Sequence, residues 1–195
     1  MSRKYELKRR AERQEETRRR IVEAAIDLHR TIGPARTTVS DIARVAGVQR
    51  HTYYKHFPDE TSLGLACSGL YMARNPLPDP SLWRSVADPE RRLRTALEEI
   101  YAYYAKNEAM VANVTRDAAI DPLTREMFGL RQARAFEEMR RVLAEPFCLR
   151  GRRRARLLAA IELALAFPTW QSLVRSSGLS RKDAVEAAVR LVRCQ

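Results

Sequence analysis

Residues 38–63 read TVSDIARVAGVQRHTYYKHFPDETSL, and the parsing of this stretch decides the fold. Thr38-Val-Ser-Asp41 has the spacing of a capping box: the threonine oxygen can accept from the Asp41 amide, and the Asp41 carboxylate can reach back. A helix is expected to open at Thr38, with Val39, Ile42, Ala43 and Ala46 facing inward. Ala46-Gly47 then makes a tight corner, because glycine takes a positive φ without a Cβ clash, and Val48 re-enters the core. A short helix follows from Gln49 to Lys55, Pro58 closes the unit, and Asp59 caps a further helix over Glu60–Tyr71. Two short helices joined by such a corner form a helix-turn-helix. Val39, Ile42, Ala43, Val48 and Tyr53 can pack them on each other and on the preceding stripe Ile21, Ala25, Leu28, Ile32, which Gly33-Pro34 ends.

That packing leaves Gln49, Arg50, His51, Thr52, Tyr54 and Lys55 on the exposed side or its margins. A helix fits the major groove of DNA, and its early residues point at base edges. The donor fork of Arg50 matches guanine O6 and N7. Gln49 either meets adenine or helps start the helix. His51 can donate to a base acceptor or a phosphate, or stay a solvated surface residue. Thr52 and the Tyr54 hydroxyl can hold phosphates, which sets register rather than sequence. Lys55 adds a point charge. Thr38 and Ser40 can present hydroxyls and free amides to a backbone phosphate.

The segment 38–63 resembles the DNA-binding signature of the TetR/AcrR family of bacterial transcription regulators. Gly47-Val48 and Thr52-Tyr53-Tyr54-Lys55-His56-Phe57 carry the likeness, which extends over roughly residues 18–71 and includes IVEAAIDLHRTIG. The resemblance implies an all-α chain: a three-helix head joined to a C-terminal helical domain that binds a ligand and dimerises. It divides the chain into a basic N-terminal arm (1–17), a helix-turn-helix domain (18–58), a connecting helix (59–74) and an effector-binding and dimerisation domain (75–195). It further implies a homodimeric regulator, a repressor released from a palindromic operator by a small, mostly hydrophobic effector. The phosphate-touching tyrosine of the family maps to Tyr54, and an aliphatic core position is Tyr53 here. Where many relatives place a phosphate-binding lysine, this chain has Glu60, which suits a helix N-terminus but repels DNA. Lys55 and the basic arm are the available replacements. His56 reads as a structural residue at the helix junction.

Outward from this head, almost every periodic segment has the helical period. The first twenty residues hold nine Arg or Lys against four Asp or Glu; they form either a solvated arm or one that meets phosphates, along the backbone or in the minor groove. Four prolines mark Asn75–Pro89 as a linker or ordered loop, with Leu77, Leu82 and Trp83 as anchors. Helices are expected over 90–106, 108–116 and 122–143, then the apolar stretch LLAAIELALAFPTWQSLV (157–174), then 180–192 behind the capping box Ser180–Asp183. The last two helices suit a four-helix bundle with a second copy, or an intramolecular bundle. By type and region, Trp83, Tyr101, Tyr104, Met110, Val114, Phe128, Arg131, Phe136 and Trp170 are pocket candidates, each with a plain core alternative. Pro168, set inside the apolar helix, frees the Ala164 carbonyl and bends the axis, which either widens a cavity or starts the turn that carries Trp170 outward. Arg116, Asp117 and Asp121 can orient a polar ligand or form surface pairs, and the five arginines of 150–156 form a solvated turn or attract an anion.

Composition narrows the alternatives. Lys and Arg number 36 against 24 acids, a formal charge of +12, which favours a polyanionic partner without fixing specificity. Three widely spaced cysteines (67, 148, 194) argue against a disulfide scaffold. There is no secretory or membrane-spanning run, so the expected compartment is the cytoplasm. The only histidines are 29, 51 and 56, with no metal-ligand spacing. No phosphate-binding glycine pattern and no nucleophile–base set appear, so neither a cofactor nor an enzyme is expected. Two other classes compete with the regulator: a structural DNA-binding protein driven by charge, and a protein-interaction adaptor whose head has lost operator binding.

Overall fold

The computed structural model describes residues 3–193, with the side chains of residues 3, 4 and 131 excepted. All regular structure among these residues is helical, without a strand. The helices are α1 (Arg3–Thr31), α2 (Val39–Ala46), α3 (Arg50–His56), α4 (Glu60–Arg74), α5 (Pro80–Trp83), α6 (Pro89–Ala118), α7 (Pro122–Ala144), α8 (Gly151–Leu165), α9 (Phe167–Trp170) and α10 (Arg181–Arg193). A π-helical stretch, Gln171–Ser176, follows α9. No single described helix is long and apolar enough to cross a membrane. The chain falls into two compact units: residues up to Asn75 with Ala112–Gly129, and Pro76–Val111 with the residues from Leu130 on.

In the first unit α1 packs on α2 and α4. Its inner half buries Ile21, Val22, Ala24, Ala25 and Ile26; α2 adds Ile42, Ala43 and Ala46, and α4 adds Leu63 and Cys67. An Arg74 fork on Glu23, at 2.8 and 2.6 Å, ties α4 back to α1. The helix α1 does not begin near the apolar stripe: the expected arm forms its first turns, and residues 5–16 are exposed along its whole girth. Strong helix formers such as Lys, Arg, Glu and Ala propagate a helix already nucleated by the packed half.

Residues 112–129 belong to this unit because polar side chains of α6 hold the corner after α1. Gly33 has φ 98°, and a Cβ there would stand 2.3 Å from Asp117 Oδ2 and 2.2 Å from Arg116 Nη2. Asp117 accepts from the Ala35 amide at 3.0 Å, Arg116 donates to the Ile32 carbonyl at 2.9 Å, and Asn113 donates to the carbonyls of His29 and Arg30. Arg116 and Asp117 also pair with each other, Arg116 Nε donating to Asp117 Oδ1 at 2.7 Å, with Asp117 1% exposed and Arg116 partly exposed, so the pair serves the corner after α1. Asp121 caps α7 by accepting from the Thr124 amide at 2.7 Å.

The second unit is a helical bundle whose core is Leu93, Leu97, Ile100, Met139, Leu143, Leu157, Ile161 and the α10 stripe Ala184, Val185, Ala188, Val189, Val192. The helices expected over 90–106 and 108–116 both lie in α6 and meet at a kink at Asn107, whose φ −111° and ψ 16° are not helical. The loop before it contains α5, capped by Asp79. Trp83 there is an anchor, its indole donating to Glu99 at 2.8 Å, whereas Leu82 is exposed. The buried Arg92 guanidinium binds the carbonyls of Val86, Val142 and Arg84, closing backbone groups that the short turns leave open. The apolar stretch 157–174 is not one bent helix. Backbone extension at Ala166 (ψ 137°) ends α8, and Pro168 starts α9 in its first turn, where proline's missing amide costs nothing. The carbonyls freed at the break are taken by tyrosine: Tyr101 donates to Ala164 at 3.0 Å and Tyr104 to Leu165 at 2.7 Å.

Candidate nucleic-acid interface

The head surface is built by two local devices. At its start, the Thr38 hydroxyl oxygen accepts from the Asp41 amide at 3.2 Å, and Asp41 Oδ2 accepts from the Thr38 hydroxyl at 2.6 Å and from its amide at 3.4 Å. These bonds hold the Asp41 carboxyl below the usual carboxylate range, and they satisfy amides that the first turn of α2 would otherwise leave open. At its corner, Gly47 is left-handed (φ 65°, ψ 41°). The Val48 amide donates to Ala43 at 2.9 Å and the Gly47 amide to Arg44 at 3.2 Å. This is the Schellman pairing, which ends α2 and turns the chain directly into α3.

α3 then splits by side. Tyr53 and Phe57 are 1% exposed, their rings 6.1 Å apart, and the Arg18 guanidinium covers Phe57 at 4.9 Å. Burial pushes the Tyr53 phenol up to about 12, with Glu60 the next cause, so it stays neutral. Val48 is only half-buried. On the other side Gln49, Arg50, His51, Tyr54 and Lys55 are exposed, and Thr52 is half-buried. Gln49 starts the helix with its backbone carbonyl, which accepts from Thr52 at 2.9 Å and Tyr53 at 3.1 Å, and its side chain makes no cap. Thr52 Oγ1 lies 3.2 Å from His51 Nε2, and Tyr54 stands edge-on to Tyr53 at 5.3 Å. Thr38 and Ser40 are exposed at the start of α2. All eight expected contact residues therefore lie within one capped helix-turn-helix. His56 is half-buried, and burial with the charges of Lys55 and Arg18 lowers its pKa.

One side chain outside that set also reaches the corner. Arg20 Nη1 is 3.8 Å from the place a Cβ on Gly47 would take. The signal for it was the helical phase of the charged N-terminus, continued back from Ile21. Glu60 is exposed on the first turn of α4, beside the Asp59 cap that accepts from the Ser62 amide at 2.7 Å.

The expected pocket residues divide. Trp83, Tyr101, Tyr104, Met110 and Trp170 are buried in the second unit, and Phe136 is half-buried there. Tyr104, Phe167 and Trp170 form one aromatic cluster, with centroids 5.2–6.0 Å apart. Val114 and Phe128 belong to the first unit. The Arg131 side chain and Cys194 lie outside the described residues.

Residues 21–67 match the family model of bacterial regulatory proteins of the tetR family. The HTH-type transcriptional regulator TtgR of Pseudomonas putida is 34% identical over 96 residues, 49% of this chain and 46% of its own. The probable HTH-type transcriptional regulator ArpR of the same species matches to the same extent. The alignment thus spans less than half the length of these relatives. Among solved structures, the TetR family transcriptional regulator PfmR of Thermus thermophilus superposes with a TM-score of 0.62 at 23% identity, covering 89% of this chain and 94% of that one. A mutant of HlyIIR gives 0.63 at 17%, covering 91% and 96%. The structural likeness concerns the fold, and the family-model match lies in the head. Residues 21–67 are thus similar to the DNA-binding region of the tetR family, and the rest of the chain shares the fold of these solved structures.

Proposed function

We propose that this chain is a member of the tetR family and acts as a homodimeric repressor that reads a two-fold symmetric operator through α3 and leaves it when a small, mostly hydrophobic effector binds the C-terminal bundle. The observation that carries the reading is the division of α3: a closed aromatic interior under a surface of Gln49, Arg50, His51, Thr52, Tyr54 and Lys55. Arg50 is the base-reading residue, by its position on the first turn of an exposed helix. Thr38, Ser40, Thr52, Tyr54 and Lys55 set the register on phosphates.

The dimer reading is supported by α8 and α10. Ala155, Ala159 and Leu163 recur at four-residue spacing on α8 and are exposed, and Leu191 is exposed on α10. Small residues beside a leucine allow close approach of a second helix pair. Two heads would then meet half-sites about 34–36 Å apart, or a multiple of that. An effector that prefers a different head spacing lowers DNA affinity, and DNA lowers effector affinity by the same factor.

The test is an unbiased selection of duplexes by the purified chain, followed by titration of the enriched sequence and of random DNA. The expected result is a two-fold symmetric motif. Arg50→Ala should lose about 1–3 kcal/mol on that motif and much less on random DNA. Equal losses on both would make Arg50 a backbone contact, and absence of any motif would remove the operator reading.

A further inference from the structure

We propose that the outer half of α1 is a second DNA-contacting element, a rigid basic rod that follows the phosphates flanking the site read by α3; this rests on the DNA-binding reading above. Arg9, Arg13 and Arg20 fall within about 40° of one another around the helix at 100° per residue. With Glu12, Glu16 and Thr17 they line one continuous groove along its surface. The two acids in that groove are engaged by cations elsewhere on α1. Arg19 holds Glu16 by a bidentate fork at 2.8 and 3.1 Å, and Lys8 stands 3.9 Å from Glu12. Arg9, Arg13 and Arg20 make no ion pair among the described residues; Arg9 lies 5.7 Å from the Tyr5 ring centroid.

The row is aimed by its inner end. Arg20 stands beside Gly47, the corner from which α3 starts, so the basic face of the rod is continuous with the head of the reading helix. From Arg20 to Arg9 the rod rises about 16 Å, a length that passes several phosphates of one strand at roughly 3.4 Å each. Residues 5–16 touch no other element that would bury them, and like charges four apart weaken an isolated helix; a polyanion alongside reverses that repulsion. A helix roughly 10–12 Å wide does not enter a minor groove about 6 Å wide. The rod therefore lies against the backbone and carries no base specificity, and it brings positive charge to a head whose α4 begins with Glu60.

The experiment uses the full chain and an enriched duplex in two forms, one with long flanks and one ending just outside the selected motif. Binding is titrated over a salt series, with circular dichroism of each variant as the check on helix content. On the flanked duplex, Arg9→Ala with Arg13→Ala should flatten the salt slope by about 1.8, from roughly 0.9 per lost phosphate contact. Arg9→Lys with Arg13→Lys should restore it, since a phosphate contact reads charge. On the trimmed duplex the wild type and the double alanine variant should have the same slope. An unchanged slope on flanked DNA, or a difference that survives trimming, overturns the proposal while leaving α3 as the reader. Failure of the wild-type chain to enrich any duplex removes the DNA-binding reading itself, a result distinct from either.

Discussion

His29 shows how one side chain near the end of α1 links acidity to the integrity of the head. Its ring sits between α1 and α4, with Nδ1 3.8 Å from Cys67 Sγ. Burial lowers its pKa from 6.5 to about 4, against the weaker opposite pull of Asp117. The unfolded imidazole titrates near 6.5, so above that pH both states are neutral and the contribution is fully present. As pH falls from 6.5 toward 4, the unfolded chain takes up a proton that the fold refuses, and stability is lost. The loss is on the order of 3 kcal/mol. Denaturant midpoints at pH 7 and pH 4.5 check it: His29→Gln should remove this part of the pH dependence, and an equal fall in both proteins would assign it to other groups. Gly33 is the other decisive residue of this region, excluded from substitution both by its φ of 98° and by the carboxylate of Asp117.

Among the elements, the break between α8 and α9 has the clearest chemistry. A proline near a helix end leaves carbonyls without amide partners, and buried carbonyls need a donor. Tyr101 and Tyr104 supply it through their hydroxyls, and burial pushes both phenols well above the ordinary range. Tyr104→Phe keeps the ring in its cluster with Phe167 and Trp170 but leaves the Leu165 carbonyl unpaired. A loss of about 1–3 kcal/mol is expected in urea unfolding, and a change within error would mean that another group takes over. The π-helical stretch that follows is held by Arg175, which forks onto Glu108 at 2.9 and 2.5 Å and lies 5.4 Å from the Trp170 ring centroid.

At the scale of the whole molecule, the two units are cut across the sequence rather than along it: α6 and α7 each contribute to both. The exposed row on α8 and Leu191 on α10 set the expectation for assembly. Leu163→Glu with Leu191→Glu should convert a dimer to a monomer in sedimentation velocity with helix content unchanged. It should also weaken operator binding far more than binding to a single half-site, because two linked heads bind with a high effective concentration. A dimer that survives both substitutions would place the interface elsewhere. The second unit carries the larger share of the charge of +12, with 19 Lys and Arg against 12 acids, and several of its arginines are paired, as in Arg84–Glu138, Arg94–Glu186, Arg140–Glu162 and Arg193–Glu90.

The head was legible in the sequence because its information is local. A capping box acts over three residues and a left-handed corner over one, so Thr38, Asp41 and Gly47 determined α2, the turn and the start of α3 by themselves. The apolar phase of α1 and the alternation of Tyr53 and Phe57 with polar neighbours determined which side faces out. Local rules left the break in 157–174 open, since Pro168 can bend a helix it interrupts or start a new turn; the structure places it in the first turn of α9 after an extended Ala166, with Tyr101 and Tyr104 taking the carbonyls of Ala164 and Leu165. Local rules also left the first twenty residues open, since charge pattern alone does not distinguish a rod from a tail; continuity with a packed helix does. Asp117 and Arg116 belong to the same class, because their partners lie more than eighty residues away. Contacts within one turn are set by the chain, whereas the partner that a distant carboxylate or hydroxyl takes is set only when the helices pack.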